Sequence, residues 1–494
     1  MTNDTDKIEK AAERLATTLD DTHNGLRLVK RHGANIRYVA EDRQWLVWDE
    51  TRWKADTLGT IFELAKDTAL DIYRTAAKAA EDGNTEVADA LARWAKASLS
   101  VSKLEAMVKA ARTVPDIAIS AESLDQDVWL LNFTNGTVDL RTGQRRAARR
   151  EDLITKSTGY EYNPKAKCPQ WESFVAWTMK DRPELITFIH RALGMSLCGD
   201  VSERKVFLLH GSGDNGKSVT LKTVLAVTGE YGMRMETSTL EAAKFARGGG
   251  NASENIARLK GARFVYTSEV EDGTKLAAAL LKDLTGDEML TARHLYKSTF
   301  TFKPELTPFI GANHKPVVPS DDQAVWNRLR TVPYENVIAE ADKDGGLGDR
   351  LLDEEAPGIL AWLVRGCVEW QKSGLTSPAV VLEATAQYRD EMDTFADWIA
   401  YITTAGPIVS FAPVALRGLY NEWAKDNTED GAKMSQRVFK AHMEARGWTQ
   451  EADSKGIRRW TPPGRPVRRV NYSEMARAAL AQFDAMSEEE LETA

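Results

Sequence analysis

One stretch constrains this chain more than any other. Lys205-Val-Phe-Leu-Leu-His210 runs into Gly211-Ser-Gly-Asp-Asn-Gly216-Lys217-Ser218, and Val219–Val227 continues from there. The first piece has the length and apolarity of a buried strand. The last has helical spacing. The middle is GxxxxGK[ST] in its required strand–loop–helix context. Its glycines let backbone N–H groups wrap phosphates, and the following helix adds the positive end of its dipole. Gly211, Gly213, Asn215, Gly216, Lys217, Ser218 and Val219 are therefore the candidate nucleotide-binding residues. Lys217 is expected to reach the β- and γ-phosphates and Ser218 to ligate Mg²⁺. ATP and Mg²⁺ are the expected cofactors. The loop alone stops there, because kinases, transporters and motors all use it.

The rest of the chain narrows the class. Its 494 residues are enough for several domains. Apolar residues at 43% and charged residues at 28% are ordinary globular usage, so folded cores are expected. No apolar run approaches the roughly 20 residues that cross a bilayer, and the polar, acidic start is unlike a signal peptide. Cys168, Cys198 and Cys367 are odd in number and far apart, so they form neither a disulfide framework nor a zinc pattern. A cytoplasmic setting without membrane contact is expected. The net charge of −8 argues against nucleic acid coating the whole surface. It leaves room for a local basic groove, since affinity comes from the cations that face phosphates.

Periodicity and turn residues divide the chain into six segments: 1–23, charged; 24–166, mixed helices and strands; 167–345, alternating strands and helices as in a parallel α/β sheet; 346–404, helical; 405–462, two helices and a hairpin, the order of a winged helix; and 463–494, a tail first basic and then acidic. Within the first half, helices are expected over Thr60–Ala80 and Glu86–Ala97, and helix resumes over Ala356–Tyr401. Trp45, Trp48, Trp53, Trp129 and Trp460 read as packing residues. The arginines at 145, 146, 149 and 150 read as a solvated linker.

Beyond the loop, Ala262–Ser268 is a second buried strand ending in Glu269, a carboxylate placed to hold Mg²⁺ or polarise water. Glu271 and Asp272 read as a solvated turn. Leu281-Lys-Asp-Leu-Thr-Gly-Asp287 follows, then alternating residues to Lys303 that form a hairpin with His294 and Lys297 near its turn. Strand Leu306–Ala312 is tipped by Asn313-His-Lys-Pro316, and Trp326-Asn-Arg328-Leu-Arg330 precedes a closing strand.

Taken in that order, these motifs resemble superfamily 3 helicases. Trp45-Leu-Val-Trp48 with Thr51-Arg-Trp53, Thr134-Asn-Gly136 with Val138–Gly143, and Leu193–Asp200 are similar to the region preceding the helicase in phage and plasmid primase-helicases. The resemblance spans about residues 24 to 462. It implies an AAA+-like P-loop ATPase core between a mixed α+β N-terminal domain and a C-terminal winged helix. It also implies a homo-oligomeric ring, a hexamer, that hydrolyses ATP and unwinds DNA 3′ to 5′ when phage, prophage or plasmid replication begins. By resemblance, Lys217, Glu269, Asn313 and Arg328 are the catalytic set, with Ser218 and Glu269 on Mg²⁺. Asn313 would sense the γ-phosphate and Arg328 would be a finger reaching the neighbouring subunit, with Arg330, two positions on, as the alternative. His294 and Lys297 would grip single-stranded DNA in the pore, and the winged helix would take duplex DNA or a partner protein.

Two features depart from the family or bound it. The second strand ends in Ser268-Glu269 where some members carry two acids. The match begins near residue 24, so the primase domain of related proteins has no room ahead of it, and no primer synthesis is expected of this chain. Two other classes share the phosphate loop: an ATPase that remodels protein or acts in defence without unwinding, and an origin-binding module gated by nucleotide. DNA-stimulated ATPase activity separates the first from a helicase, and turnover with Mg²⁺-ATP would eliminate the second.

Overall fold

A computed structural model describes residues 18–242, 251–268, 270–295, 299–319, 322–404, 412–427, 434–452, 456 and 458–463. Glu269, Lys297 and most of the two charged termini lie outside the described residues. The fold is mixed α/β and divides into two compact units. The larger comprises residues up to 271 with 276–314 and 327–384; the smaller comprises 272–275, 315–326 and 385 onward.

In the larger unit the apolar run before the phosphate loop forms strand β1 (Val206–His210) of a five-stranded parallel sheet. The others are β2 (Gly232–Arg234), β3 (Phe264–Ser268), β4 (Thr307–Ala312) and β5 (Leu329–Pro333), in the order β5-β1-β4-β3-β2. Every residue of β4 is buried, and so are the first four of β1 and β3. Near-continuous burial of this kind is what a parallel sheet covered on both faces requires. Phe207 stacks on Phe309 at 4.8 Å and Phe264 lies 5.1 Å from Phe309. Each fully buried phenylalanine contributes about 1.5–3 kcal/mol of apolar burial, so these three side chains weld the middle strands.

The helix Lys217–Thr228 leaves the phosphate loop and packs along β2, β3 and β4. A long helix, Leu347–Ser373, lies in the same core through Leu351, Ile359, Leu363 and Cys367. It begins nine residues before the expected Ala356, and Pro357 sits inside it. Proline removes one helical N–H bond, but buried Leu351 and Ala356 before it and Ile359 and Leu360 after it keep the apolar face continuous. Just before the proline, the Glu355 carboxylate accepts from the Gln170 and Trp171 N–H groups at 3.0 and 2.9 Å. That caps helix Pro169–Thr178, whose first N–H groups have no partner within the helix. Further on, helix is interrupted between Ser373 and Ala379 and again between Glu391 and Thr394.

Ahead of the sheet, helices Thr60–Glu81, Thr85–Ser98 and Val101–Ala111 accompany a four-stranded sheet, and Leu130–Phe133, Gly136–Asp139 and Gln144–Arg146 form a three-stranded one. Trp45, Trp48, Trp53 and Trp460 are buried, as packing residues should be. The arginine group at 145–150 is not a solvated linker. Arg146 pairs with Asp152 at 2.7 Å, Arg150 donates to Asn35 at 2.9 Å and Arg145 donates to the Asn135 carbonyl. The carboxylate partner is only six residues away, but the Asn35 amide comes from 115 residues earlier in the chain.

The smaller unit packs helices Thr394–Thr404, Pro413–Asn427 and Gln436–Ala445 with the antiparallel pair Thr449–Ala452 and Arg458–Thr461. Phe395, Trp398, Tyr420, Phe439 and Trp460 form its core. Among the described residues, no helix is long and apolar enough to cross a membrane.

Candidate nucleotide site and hairpin

The loop between β1 and its helix folds around its own lysine. Lys217 is 6% exposed, and its Nζ donates to the Gly211 carbonyl at 2.7 Å and to Asn215 Oδ1 at 2.8 Å. Asn215 is held in turn by donating to the Tyr334 carbonyl at 3.0 Å, just past the end of β5. Two glycines are sterically required. Gly216 has φ +86°, and a Cβ there would stand 2.6 Å from Thr178 Cγ2. At Gly211 a Cβ would meet Asn215 and the Tyr334 carbonyl at 2.2 Å. Ser218 is exposed in the first turn of the helix, and Val219 is half-buried beside it.

The electrostatics suit an anion. Burial pushes the Lys217 ammonium down to about 8, against a smaller opposing pull from Asp214. Both of its hydrogen-bond partners are neutral oxygens, so a polyphosphate would supply the counter-charge. The Asp214 carboxylate is itself paired with Lys343 at 3.0 Å. The loop residues therefore fit a nucleotide, and the Ser218 hydroxyl suits the hard Mg²⁺ that accompanies it.

The lowered value has a measurable consequence. The protonated lysine is disfavoured in the free loop, so at this group stability is greatest above the ordinary lysine value and is lost as pH falls through 8. Nucleotide binding has the opposite slope, because phosphates need the ammonium. ADP affinity, read with a fluorescent analogue, should weaken about tenfold between pH 7 and 9. A flat profile would show that Lys217 keeps its proton throughout.

Register brings the other elements to the loop. Ala312 pairs with His210, Gly311 with Ser268, and the Gly211 N–H donates to the Ala312 carbonyl at 3.4 Å. Asn313, which is exposed, thus emerges beside the phosphate loop. Glu269 follows Ser268 in the chain but lies outside the described residues. Glu271 is exposed. Thr237 contacts the Thr267 hydroxyl at 3.0 Å and donates to the Ser268 carbonyl at 2.8 Å, bracing the end of β3. Sequence reasoning did not find Thr237, since nothing near it signals a role.

Arg328 is not brought to this site. Leu329 pairs with Val206 at the start of β1, whereas the loop follows His210 at its end. Five residues of parallel strand separate them by roughly 15 Å, farther than an arginine side chain extends. Arg328 is half-buried, and its Nε donates to Thr285 Oγ1 at 3.1 Å. Arg330 is held by Ser377 at 3.0 Å and by the carbonyls of Asn327 and Leu329.

Thr285 belongs to the Lys-Asp-Leu-Thr-Gly-Asp segment, which also roots the hairpin. Asp287 accepts from Arg204 at 2.6 Å and lies 3.6 Å from Lys303, just past the second hairpin strand. The hairpin pairs Leu290–Arg293 with Thr299–Phe302. At its described end the Leu295 N–H donates to Glu254 at 2.7 Å, and His294 Nδ1 lies 3.3 Å from the other oxygen of that carboxylate. Lys297 lies outside the described residues. The segment's motif was visible in sequence; its bond to Arg328 was not.

Known proteins resemble this chain in parts. Residues 25–180 match a family described as D5 N terminal like, and residues 209–328 match a family of unknown function, DUF5906. The chain is 29% identical over 296 residues to the protein named Putative helicase L207/L206 of Acanthamoeba polyphaga mimivirus, covering 56% of this chain and 31% of that protein. It is 28% identical to Putative helicase 022R of Frog virus 3, over 49% of this chain and 27% of that protein. To Putative primase C962R of African swine fever virus it is 25% identical, over 42% and 22%. The matched stretch thus spans less than a third of each of these relatives. Among solved structures, the A-form apo structure of the NrS-1 C-terminal region gives a TM-score of 0.45 at 10% identity, covering 87% of this chain and 96% of that one.

Proposed function

The chain belongs to the phage-type superfamily 3 primase-helicase family, and from that premise we propose that it is an ATP-driven DNA helicase motor. It works as a ring, with six subunits as the number the resemblance implies. The observation that carries the proposal is Lys217: a buried ammonium held by two neutral oxygens at the head of a helix, where a polyphosphate supplies what the loop lacks. The strand order β5-β1-β4-β3-β2, with a hairpin inserted between β3 and β4, supports an AAA+-like core within 167–345. Two helices followed by an antiparallel pair support a winged helix within 405–462, which takes duplex DNA or a partner protein.

In this reading the loop amides and Lys217 hold the β- and γ-phosphates, and Ser218 and Glu269 hold Mg²⁺. When bound, the metal would neutralise the charge that develops on the phosphate oxygens. Glu269 orients the attacking water, and Asn313, beside the loop, senses the γ-phosphate. Arg328 acts on the nucleotide of the adjacent subunit. His294 and Lys297 grip one DNA strand, which moves only if the hairpins' affinity for it differs between nucleotide states. Translocation runs 3′ to 5′.

The test is ATPase with and without single-stranded DNA, beside unwinding of forked duplexes that carry either tail. DNA-stimulated turnover with unwinding from the 3′ tail is expected. Turnover that ignores DNA, with no unwinding, would instead make the chain an ATPase acting on protein.

A further inference from the structure

The hairpin carries an anion site that is already in use within the chain. The Leu295 N–H and His294 Nδ1 present two donors to one small group, and the two oxygens of Glu254 take one each. Those donors pull the Glu254 carboxyl below the ordinary carboxylate range, with Arg258 adding to the effect. The imidazole is held in place by Phe300 of the opposite hairpin strand, stacked at 5.3 Å, and Lys260 lies 5.5 Å above that phenyl ring. A main-chain N–H, an oriented imidazole and nearby cations are the groups that fix phosphate oxygens without reading bases. Glu254 is not part of the hairpin. It comes from helix Asn251–Ala257, about forty residues earlier in the chain.

We propose that Glu254 is an internal stand-in for a DNA phosphate: it occupies the His294–Leu295 anion site when no nucleic acid is bound and is displaced by a backbone phosphate when the hairpin engages a strand. The proposal rests on the reading of the hairpin as the DNA-gripping element. The side chains of Glu254 and His294 are 31% and 38% exposed, so an incoming phosphate can reach both donors. Displacement costs little, because polar contacts this exposed shift an equilibrium by only about two- to fivefold. A strand that brings consecutive phosphates gains counterion release as well, which a lone carboxylate does not. The contact thus holds the empty hairpin in one position, and disfavours isolated anions more than a polymer.

The test uses the full chain with a fluorescein-labelled single-stranded oligonucleotide, anisotropy as the readout, and thermal melting as the check on folding. Glu254→Gln keeps a carbonyl oxygen for the Leu295 N–H but removes the charge. It should bind DNA about two- to fivefold more tightly than wild type, the factor by which the internal pair competes. Glu254→Ala should tighten binding in the same direction. If Glu254 merely caps the hairpin, the glutamine variant binds as wild type and the alanine variant binds more weakly; either result overturns the proposal. His294→Ala separates the two layers of the argument. Weaker DNA binding by His294→Ala together with unchanged binding by Glu254→Gln would remove the stand-in and leave the hairpin reading in place. Unchanged binding by His294→Ala would remove both.

Discussion

Lys217→Ala should hydrolyse ATP at least about 10²–10³-fold more slowly than wild type, the loss seen when one charge-stabilising donor leaves a preorganised site. The side chain is the cation that the loop folds around. Its ammonium sits between the Gly211 carbonyl and Asn215 Oδ1, the place a phosphate oxygen approaches from the loop amides. The fold should survive the change. The lysine is charged at neutral pH against the pull of its own burial, so removing it relieves a desolvation cost while leaving two acceptors to water. Because Ser212 and Ser218 on either side are exposed, water has access. Melting should therefore move by only a few degrees, and calorimetry beside steady-state phosphate release separates lost chemistry from lost structure. Turnover within tenfold of wild type in a folded Lys217→Ala protein would remove the phosphate loop from the catalytic centre.

Arg328→Ala should bind nucleotide nearly normally and hydrolyse it about 10³–10⁵-fold more slowly, the range over which an arginine finger acts. The argument is geometric. Arg328 precedes β5, at the end of the strands opposite the phosphate loop, so any nucleotide it serves must be bound by another copy. Mixing inactive Arg328→Ala with inactive Lys217→Ala protein should restore part of the activity. At a mixed boundary one subunit supplies an intact loop and the other supplies the arginine. Arg330→Ala is the control. Arg330 is committed to Ser377 and to two carbonyls of its own chain, and burial lowers its pKa, so its loss should show no such complementation. Wild-type turnover per subunit that stays constant down to a demonstrably monomeric concentration would defeat both the trans-acting arginine and the ring.

What could be read from sequence was whatever is written contiguously. Gly211–Ser218 between an apolar strand and a helical run states its local geometry, because a glycine-rich turn, a buried strand and a helix N-terminus each need only a few successive residues. The alternation from Ala262 onward, the hairpin around His294 and the closing strand that holds Arg330 are local in the same way, and so was the two-helix-and-hairpin order near the C-terminus. Tertiary structure decided what distant segments do to one another. It paired Leu329 with Val206, and so set Arg328 at the end of the strands far from the loop. It placed Thr285 under that arginine and Asp287 under the hairpin, giving roles to a motif whose spacing alone suggested none. It brought Asn35 to Arg150 across 115 residues, and began a helix nine residues ahead of the expected Ala356, with Pro357 inside it. The Glu254 contact belongs to this second kind. Hydrogen bonds and ion pairs act over about 3 Å, and which groups come that close across forty or more residues is settled only when strands register and helices pack.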